Sequence, residues 1–379
     1  MTRARDRVVK PFYAVEINRL AHERVRRGLD VIHMEVGQPS AGAPEAALQA
    51  AERAMRSDKL GYWESGALKE RIARHYLDWY GVKVEPKRVI LTPGASGALL
   101  LAFAVLLDAR DLVAMGRPGY PAYRNVLNAL GMHPVELQCG AESRFQPTAA
   151  MVEALDPAPA ALIVASPANP TGTMLDRGEL AALIDVCRRR SITLISDEIY
   201  HGITYGPTAV SALEIDPSAI VINSFSKYWC MTGWRLGWMI APESLVERMN
   251  SYSGNIFLTP SALSQHAALA AMDADEELSR HLETYAANRR LVMDELRRLG
   301  ITDMAPADGA FYVYADVGHL TDDSLGFCKQ LLADTGVAFN TGLDFDPVGG
   351  HRTIRISFAV SRAETAEAMK RFSAWLEAR

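Results

Sequence analysis

Two serines and a lysine stand together in Ser224-Phe225-Ser226-Lys227, and Arg235 follows eight residues after the lysine. The run Ala219-Ile220-Val221-Ile222 before them reads as a buried strand, and such a strand ordinarily ends in turn residues. Here it ends in two hydroxyls and one amine. Desolvation lowers a lysine pKa, and an amine that is neutral near neutral pH can join an aldehyde as a Schiff base. A lone lysine at a strand end is ordinarily solvated. Three motifs upstream reverse that reading.

The first is Thr92-Pro93-Gly94-Ala95-Ser96-Gly97. Small residues let a backbone approach an anion, and N–H groups at a helix start point at it. Taken alone, the motif is equally a plain strand-to-helix turn with a serine cap. The second is Ser166-Pro167-Ala168-Asn169-Pro170-Thr171-Gly172, a rigid turn of the kind that accommodates a cis X-Pro bond. It would hold the Asn169 amide toward a crevice. The third is Ser196-Asp197-Glu198-Ile199-Tyr200 after an apolar strand. A buried Asp197 must be paired or protonated, and a cationic ring nitrogen would pair it. The Tyr200 hydroxyl would reach the same place. Ser224 and Arg235 flank Lys227, and an arginine fork suits a phosphate dianion.

These residues need a scaffold that brings strand ends together. Short apolar strands are expected at 88–92, 112–115, 134–137, 161–165, 193–196, 220–223 and 236–240. Helical patterns at 43–56, 66–79, 98–107 and 177–189 lie between or before them. The alternation predicts an α/β fold with a mostly parallel seven-stranded sheet sandwiched by helices. Ligands in such sheets sit beyond the carboxyl ends of the strands. After about residue 243 a long helical region spans 260–299. Strands follow at 310–314, 337–340 and 353–358, and a helix at 364–377 closes the chain. The expected division is an N-terminal segment, 1–42, packed on a small α+β domain, 271–379, with a large cofactor-binding domain at 43–270.

Taken together, the Ser-x-Ser-Lys segment with its arginine and the Asn-Pro-Thr-Gly turn resemble the fold-type I pyridoxal phosphate enzymes, most closely the class I/II aminotransferases related to aspartate aminotransferase. The resemblance covers roughly residues 30–379. It implies pyridoxal 5'-phosphate as cofactor, with Lys227 as the Schiff-base amine. It implies that Asp197 pairs with the ring nitrogen and that Tyr200 and Asn169 bond the phenolic oxygen. Ser224, Arg235 and the Ala95-Ser96-Gly97 backbone would hold the phosphate, and Tyr120 would stack on the ring. Arg355, in Thr353-Ile354-Arg355-Ile356-Ser357, would grip the substrate α-carboxylate. Gly37 and Asn169 would join it there. Tyr62 resembles the tyrosine that reaches the phosphate from a partner subunit, which implies a homodimer with shared active sites. The implied reaction is transfer of an amino group between an L-amino acid and a 2-oxo acid. A C–S β-lyase, a cyclase or a non-catalytic ligand-sensing protein could share this scaffold. The Thr341–Phe345 loop is expected at the entrance to the site.

Bulk composition excludes other classes. The 379 residues are 49% hydrophobic and 22% charged, with a net charge of −5. That balance argues against nucleic acid or an anionic membrane as the main partner. The longest apolar run, Ala98–Leu107, is about half a membrane span. The charged N-terminus, Met1 to Arg7, carries no expected signal peptide. Cys139, Cys187, Cys230 and Cys328 have neither metal-ligand nor redox spacing, and suit a reduced cytoplasmic setting as small buried hydrophobes. The histidines likewise show no metal spacing.

Overall fold

The computed structural model describes residues 9–379, so the N-terminal stretch Met1 to Arg7 lies outside the described residues. In chain order the strands are β1 (Ile32–His33), β2 (Val89–Thr92), β3 (Leu112–Arg117), β4 (His133–Gln138), β5 (Ala161–Ala165), β6 (Thr193–Asp197), β7 (Ile220–Ser224) and β8 (Gly237–Ile240). They continue with β9 (Tyr312–Asp316), β10 (Val337–Ala338), β11 (Asn340–Thr341) and β12 (Thr353–Ser357). Seven of them form one sheet in the order β2-β8-β7-β6-β5-β3-β4. β3 through β7 pair in parallel, and β8 alone runs antiparallel to both its neighbours.

The sheet is buried on both faces because its strands are apolar at nearly every position, as a helix-covered parallel sheet requires. Leu162, Val164, Leu194 and Val221 pack on one face, in a core shared with the helices Gly66–Tyr80, Arg177–Arg189 and Ala262–Ala271. Ile163, Ile195, Ile220 and Ile222 point to the other, against the helix Gly94–Leu106. This is the two-residue alternation of a strand. Local signals set the helix ends. Asp176 with Glu179, and Ser361 with Glu364, form capping boxes. The αL residues Gly81 and Gly131 end their helices.

A separate core joins the two ends of the chain. Ile17 and Ala21 of the helix Tyr13–Arg26 and Ile32 and Met34 around β1 pack with Val313, Phe339, Ile354 and Phe372. β1 pairs in parallel with β10, while β11, β12 and β9 form a three-stranded antiparallel sheet.

Several expected boundaries moved. The helix read from 98 starts at Gly94, so Ala95, Ser96 and Gly97 lie in its first turn rather than in a loop. Gly94, at φ +71°, makes the turn in one residue. The region 260–299 is two helices, Ala262–Ala271 and Asp275–Arg298. The acidic run Asp275-Glu276-Glu277 sits in the first turn of the second, where it meets the positive end of the helix. The strand read at 337–340 divides between two sheets: β10 pairs with β1 and β11 with β12.

Candidate active site

The carboxyl ends of β5, β6 and β7 open onto a cavity of about 320 Å³, closed from above by residues of both chain ends. Lys227, three residues beyond β7, reaches into it. Its Nζ donates to the Gly37 carbonyl at 2.6 Å. Desolvation, then the neighbouring Arg355 and Arg235 charges, lower its pKa to about 8, against the opposing pull of Asp197. A lysine with that pKa is about one-tenth neutral at pH 7.

Asp197 ends β6 and is buried. Tyr123 donates its hydroxyl to Oδ2 at 2.5 Å, and the Ile199 N–H donates to Oδ1 at 3.2 Å. Burial raises its pKa, while the Tyr123 and Ile199 bonds and Lys227 pull it back. Tyr200, on the turn after β6, exchanges a hydrogen bond with the Tyr312 hydroxyl at 2.7 Å. Burial pushes both phenols up, so both stay protonated.

Arg355 comes from β12 and Asn169 from the turn after β5. They meet directly: Arg355 Nη1 donates to Asn169 Oδ1 at 3.0 Å, and Nη2 donates to the Glu35 carbonyl at 2.6 Å. The guanidinium lies over the rings of Tyr312 and Phe345, at 4.5 and 4.7 Å. Its Nε faces no acceptor. A buried guanidinium with a free donor is prepared for an anion.

Arg235 adopts a left-handed backbone, φ +52°, and its Nη1 donates to the Thr232 carbonyl at 3.0 Å. Its fork lies against the start of the helix Gly94–Leu106: a Cβ added at Gly94 would sit 2.7 Å from Nη2. Arginine and unpaired helix N–H groups therefore face one corner, as an anion cradle requires. Ala95 and Ser96 line that corner. Tyr120 caps the next helix, Pro121–Leu130, and its ring faces the cavity.

The structure thus brings Lys227, Asp197, Asn169, Tyr200, Tyr120, Arg235, Arg355, Gly37, Ala95 and Ser96 into one cavity. Three expected residues are not there. The Ser224 hydroxyl is wholly buried behind the wall, donating to the Leu236 carbonyl at 2.9 Å, and Ser226, also buried, takes the cavity-lining place beside Arg235. The strand alternation decides this, because residues two apart share a side but β7 ends at Ser224 and the chain turns. Gly97 packs on Pro93 instead of facing the cavity. Tyr62 is 84% exposed and lies outside it. Conversely, Tyr123, Tyr312 and Glu35 were not singled out. Tyr123 lies 74 residues from Asp197 and Tyr312 lies 112 from Tyr200, so no local motif links them. His201, next to Tyr200, is buried behind the site, bonded to the Ser166 carbonyl and the Tyr80 hydroxyl; burial lowers its pKa to about 4.

Comparison with known proteins points the same way. Residues 29–372 match the family model described as aminotransferase class I and II. A valine–pyruvate aminotransferase of Mycobacterium tuberculosis is 48% identical over 97% of both chains. An aspartate/prephenate aminotransferase of Thermus thermophilus is 31% identical over 97% of both. Among solved structures, an aminotransferase from Mycobacterium tuberculosis superposes with a TM-score of 0.97 at 46% identity, covering 100% of both chains. Thermus thermophilus aspartate aminotransferase with maleate gives 0.91 at 30% identity, covering 99% of this chain and 100% of its own.

Proposed function

The chain belongs to the class I and II aminotransferases, and from that premise we propose how its own residues carry out the reaction. It is an enzyme that moves an amino group between an L-amino acid and a 2-oxo acid, and members of its family depend on pyridoxal phosphate. The β-lyase, cyclase and ligand-sensing readings are not favoured, because the relatives are aminotransferases.

The donor set fits pyridoxal 5'-phosphate: a desolvated amine, a buried carboxylate, and an arginine set against a glycine-led helix start. Bound there, the cofactor supplies an aldehyde carbon to carry the amino group and a ring to absorb the electron pair at the substrate Cα. Lys227 would hold it through its amine, and the same amine, when free, would take the substrate Cα proton and return it. Asp197 would hold a proton on the ring nitrogen, and the Tyr123 hydroxyl fixes the carboxylate for that task. Asn169 and Tyr200, both on the cavity wall, would hold the phenolic oxygen. Arg235, Ser226 and the Ala95 and Ser96 N–H groups would hold the phosphate. Arg355, set by Asn169 and the Glu35 carbonyl, grips the α-carboxylate as a fork and so aims the Cα proton at Lys227.

The observation that carries this reading is the Lys227 amine, with a pKa of about 8, sharing one cavity with Asp197 and Arg355. The valine–pyruvate relative makes valine and pyruvate the first donor and acceptor to assay. Protein reconstituted with pyridoxal 5'-phosphate should change absorbance on adding valine and revert on adding pyruvate, with alanine formed. A panel of donors that leaves the spectrum unmoved would refute the proposal.

The same reading makes the protein a homodimer in which Tyr62 completes the phosphate site of the partner. It also divides the chain at 42/43 and 270/271; the core shared by the helix Tyr13–Arg26 and the C-terminal strands supports that division. Four buried free cysteines support a cytoplasmic location. No described helix is long and apolar enough to cross a membrane.

A further inference from the structure

Tyr312 heads β9 and has no exposed surface, so it acts only through its neighbours. It touches three groups that the proposed reaction uses. Its ring lies under the Arg355 guanidinium, 4.5 Å from the centroid. The sheet dictates that contact: Arg355 of β12 pairs with Tyr314 of β9, which makes Tyr312 its diagonal neighbour on the same face. The Tyr312 hydroxyl meets the Tyr200 hydroxyl at 2.7 Å. The same hydroxyl fills the space beside Gly37, where any Cβ would collide with it.

This inference rests on the aminotransferase reading, in which Tyr200 holds the phenolic oxygen of the cofactor. A hydroxyl has one proton to donate. In the protein alone either phenol can donate to the other. An ionised phenolic oxygen offers no proton, so Tyr200 must spend its own there. The bond between the two tyrosines then survives only with Tyr312 as donor. A hydroxyl that accepts one hydrogen bond donates a stronger one. Burial keeps Tyr312 protonated for this, against the opposing pull of Arg355.

We propose that Tyr312 is a positioning residue: its hydroxyl donates to Tyr200 and so commits the Tyr200 proton to the phenolic oxygen of the cofactor. Its effect on the chemistry is electrostatic. The nitrogen supplied by Lys227 and the phenolic oxygen compete for one proton in the bound cofactor. A donor to the oxygen drains its negative charge and loosens that proton. Without the Tyr312 hydroxyl the proton is held more tightly, and the pH at which it leaves rises. The charges that act on Lys227, from Arg355, Arg235 and Asp197, stay in place when one phenol oxygen is removed.

The test titrates protein loaded with pyridoxal 5'-phosphate against pH and follows the absorbance of the cofactor. Tyr312→Phe removes the hydroxyl and keeps the ring under Arg355. Its midpoint should lie about 0.5 pH unit above that of the wild type. Isovalerate, a carboxylate probe for Arg355, should bind within about twofold of its wild-type affinity by calorimetry, because the ring remains. A merely structural loss would move both. In a Tyr200→Phe background the rise should vanish, since Tyr312 acts through Tyr200. Gly37→Ala reaches the same hydroxyl from the other side and, by displacing it, should also raise the midpoint. An unmoved or lowered midpoint in Tyr312→Phe or in Gly37→Ala would overturn the proposal. So would a full rise in the Tyr200→Phe background, or a rise accompanied by loss of isovalerate binding. If the cofactor gains no pH-dependent absorbance on the wild type, the aminotransferase reading has failed; if the wild type titrates and Tyr312→Phe titrates with it, only the role of Tyr312 has.

Discussion

Lys227→Ala removes the lysine of the cavity wall and with it the base at Cα. Turnover of valine and pyruvate should fall by on the order of 10⁴-fold, the upper range for loss of a positioned base. Activity near that of the wild type would contradict the assignment. The pH profile of capture is sharper. Only the neutral amine attacks an aldehyde, and burial places its pKa at about 8. Cofactor-free protein should therefore bind pyridoxal 5'-phosphate about tenfold faster per pH unit up to pH 8, then level off. A rate still climbing beyond pH 10 would mean an ordinary, solvated lysine. Arg355→Lys keeps the charge but loses the fork, so the KM for amino donors should rise while cofactor affinity holds. If cofactor is lost instead, Arg355 serves the phosphate side. Lys227 and Asp197 were legible because each breaks a local rule, a charge placed at the end of an apolar strand; Arg235 was read from its place beside Lys227, and Arg355, in the middle of β12, only from the family resemblance. Tyr123, Tyr312 and Glu35 were not, because a phenol on a helix or a carboxylate before a glycine breaks none. Only the tertiary contacts to Asp197, Tyr200 and Asn18 single them out.

The element that positions the phosphate corner is the start of the helix Gly94–Leu106. Its geometry depends on one residue, Gly94, with φ +71° and Arg235 against its open side. Gly94→Ala should cost about 1–3 kcal/mol of stability from backbone strain. It should also weaken cofactor binding by pushing Arg235 aside. Equilibrium unfolding and a cofactor titration check the two effects; a variant unchanged in both would show that the corner is not built as described. This helix start was legible as a motif but not as a geometry. Read from sequence, Pro93-Gly94-Ala95-Ser96-Gly97 is a loop; a positive-φ glycine lets the helix begin four residues earlier, turning backbone N–H groups toward the cavity. Likewise the apolar periodicity located the seven central strands, whereas the two short strands at 337–341 could not be separated, since pairing partners and not residue types divide them.

At the scale of the molecule, the cavity is closed by segments more than 300 residues apart in sequence, Glu35 with Arg355 and Tyr13 with Asp344. Tyr62 stands exposed and away from that cavity. The dimer reading expects a solution mass of twice the 41.5 kDa chain by light scattering. It expects, too, that Tyr62→Ala and Lys227→Ala chains, each impaired alone, regain activity when refolded together. A mixed dimer of two-fold symmetry has one site with both native residues. A monomer, or no recovery on mixing, would remove Tyr62 from the site. Composition and alternation made the layered architecture legible, but not which surface a second copy would cover, because exposed aromatic residues look alike in one chain.

The most direct test is chemical. The protein, loaded with pyridoxal 5'-phosphate, is reduced with borohydride, digested and mapped by mass spectrometry. The cofactor mass should lie on the peptide holding Lys227 and on no other; attachment at a different lysine, or at none, would contradict the central claim.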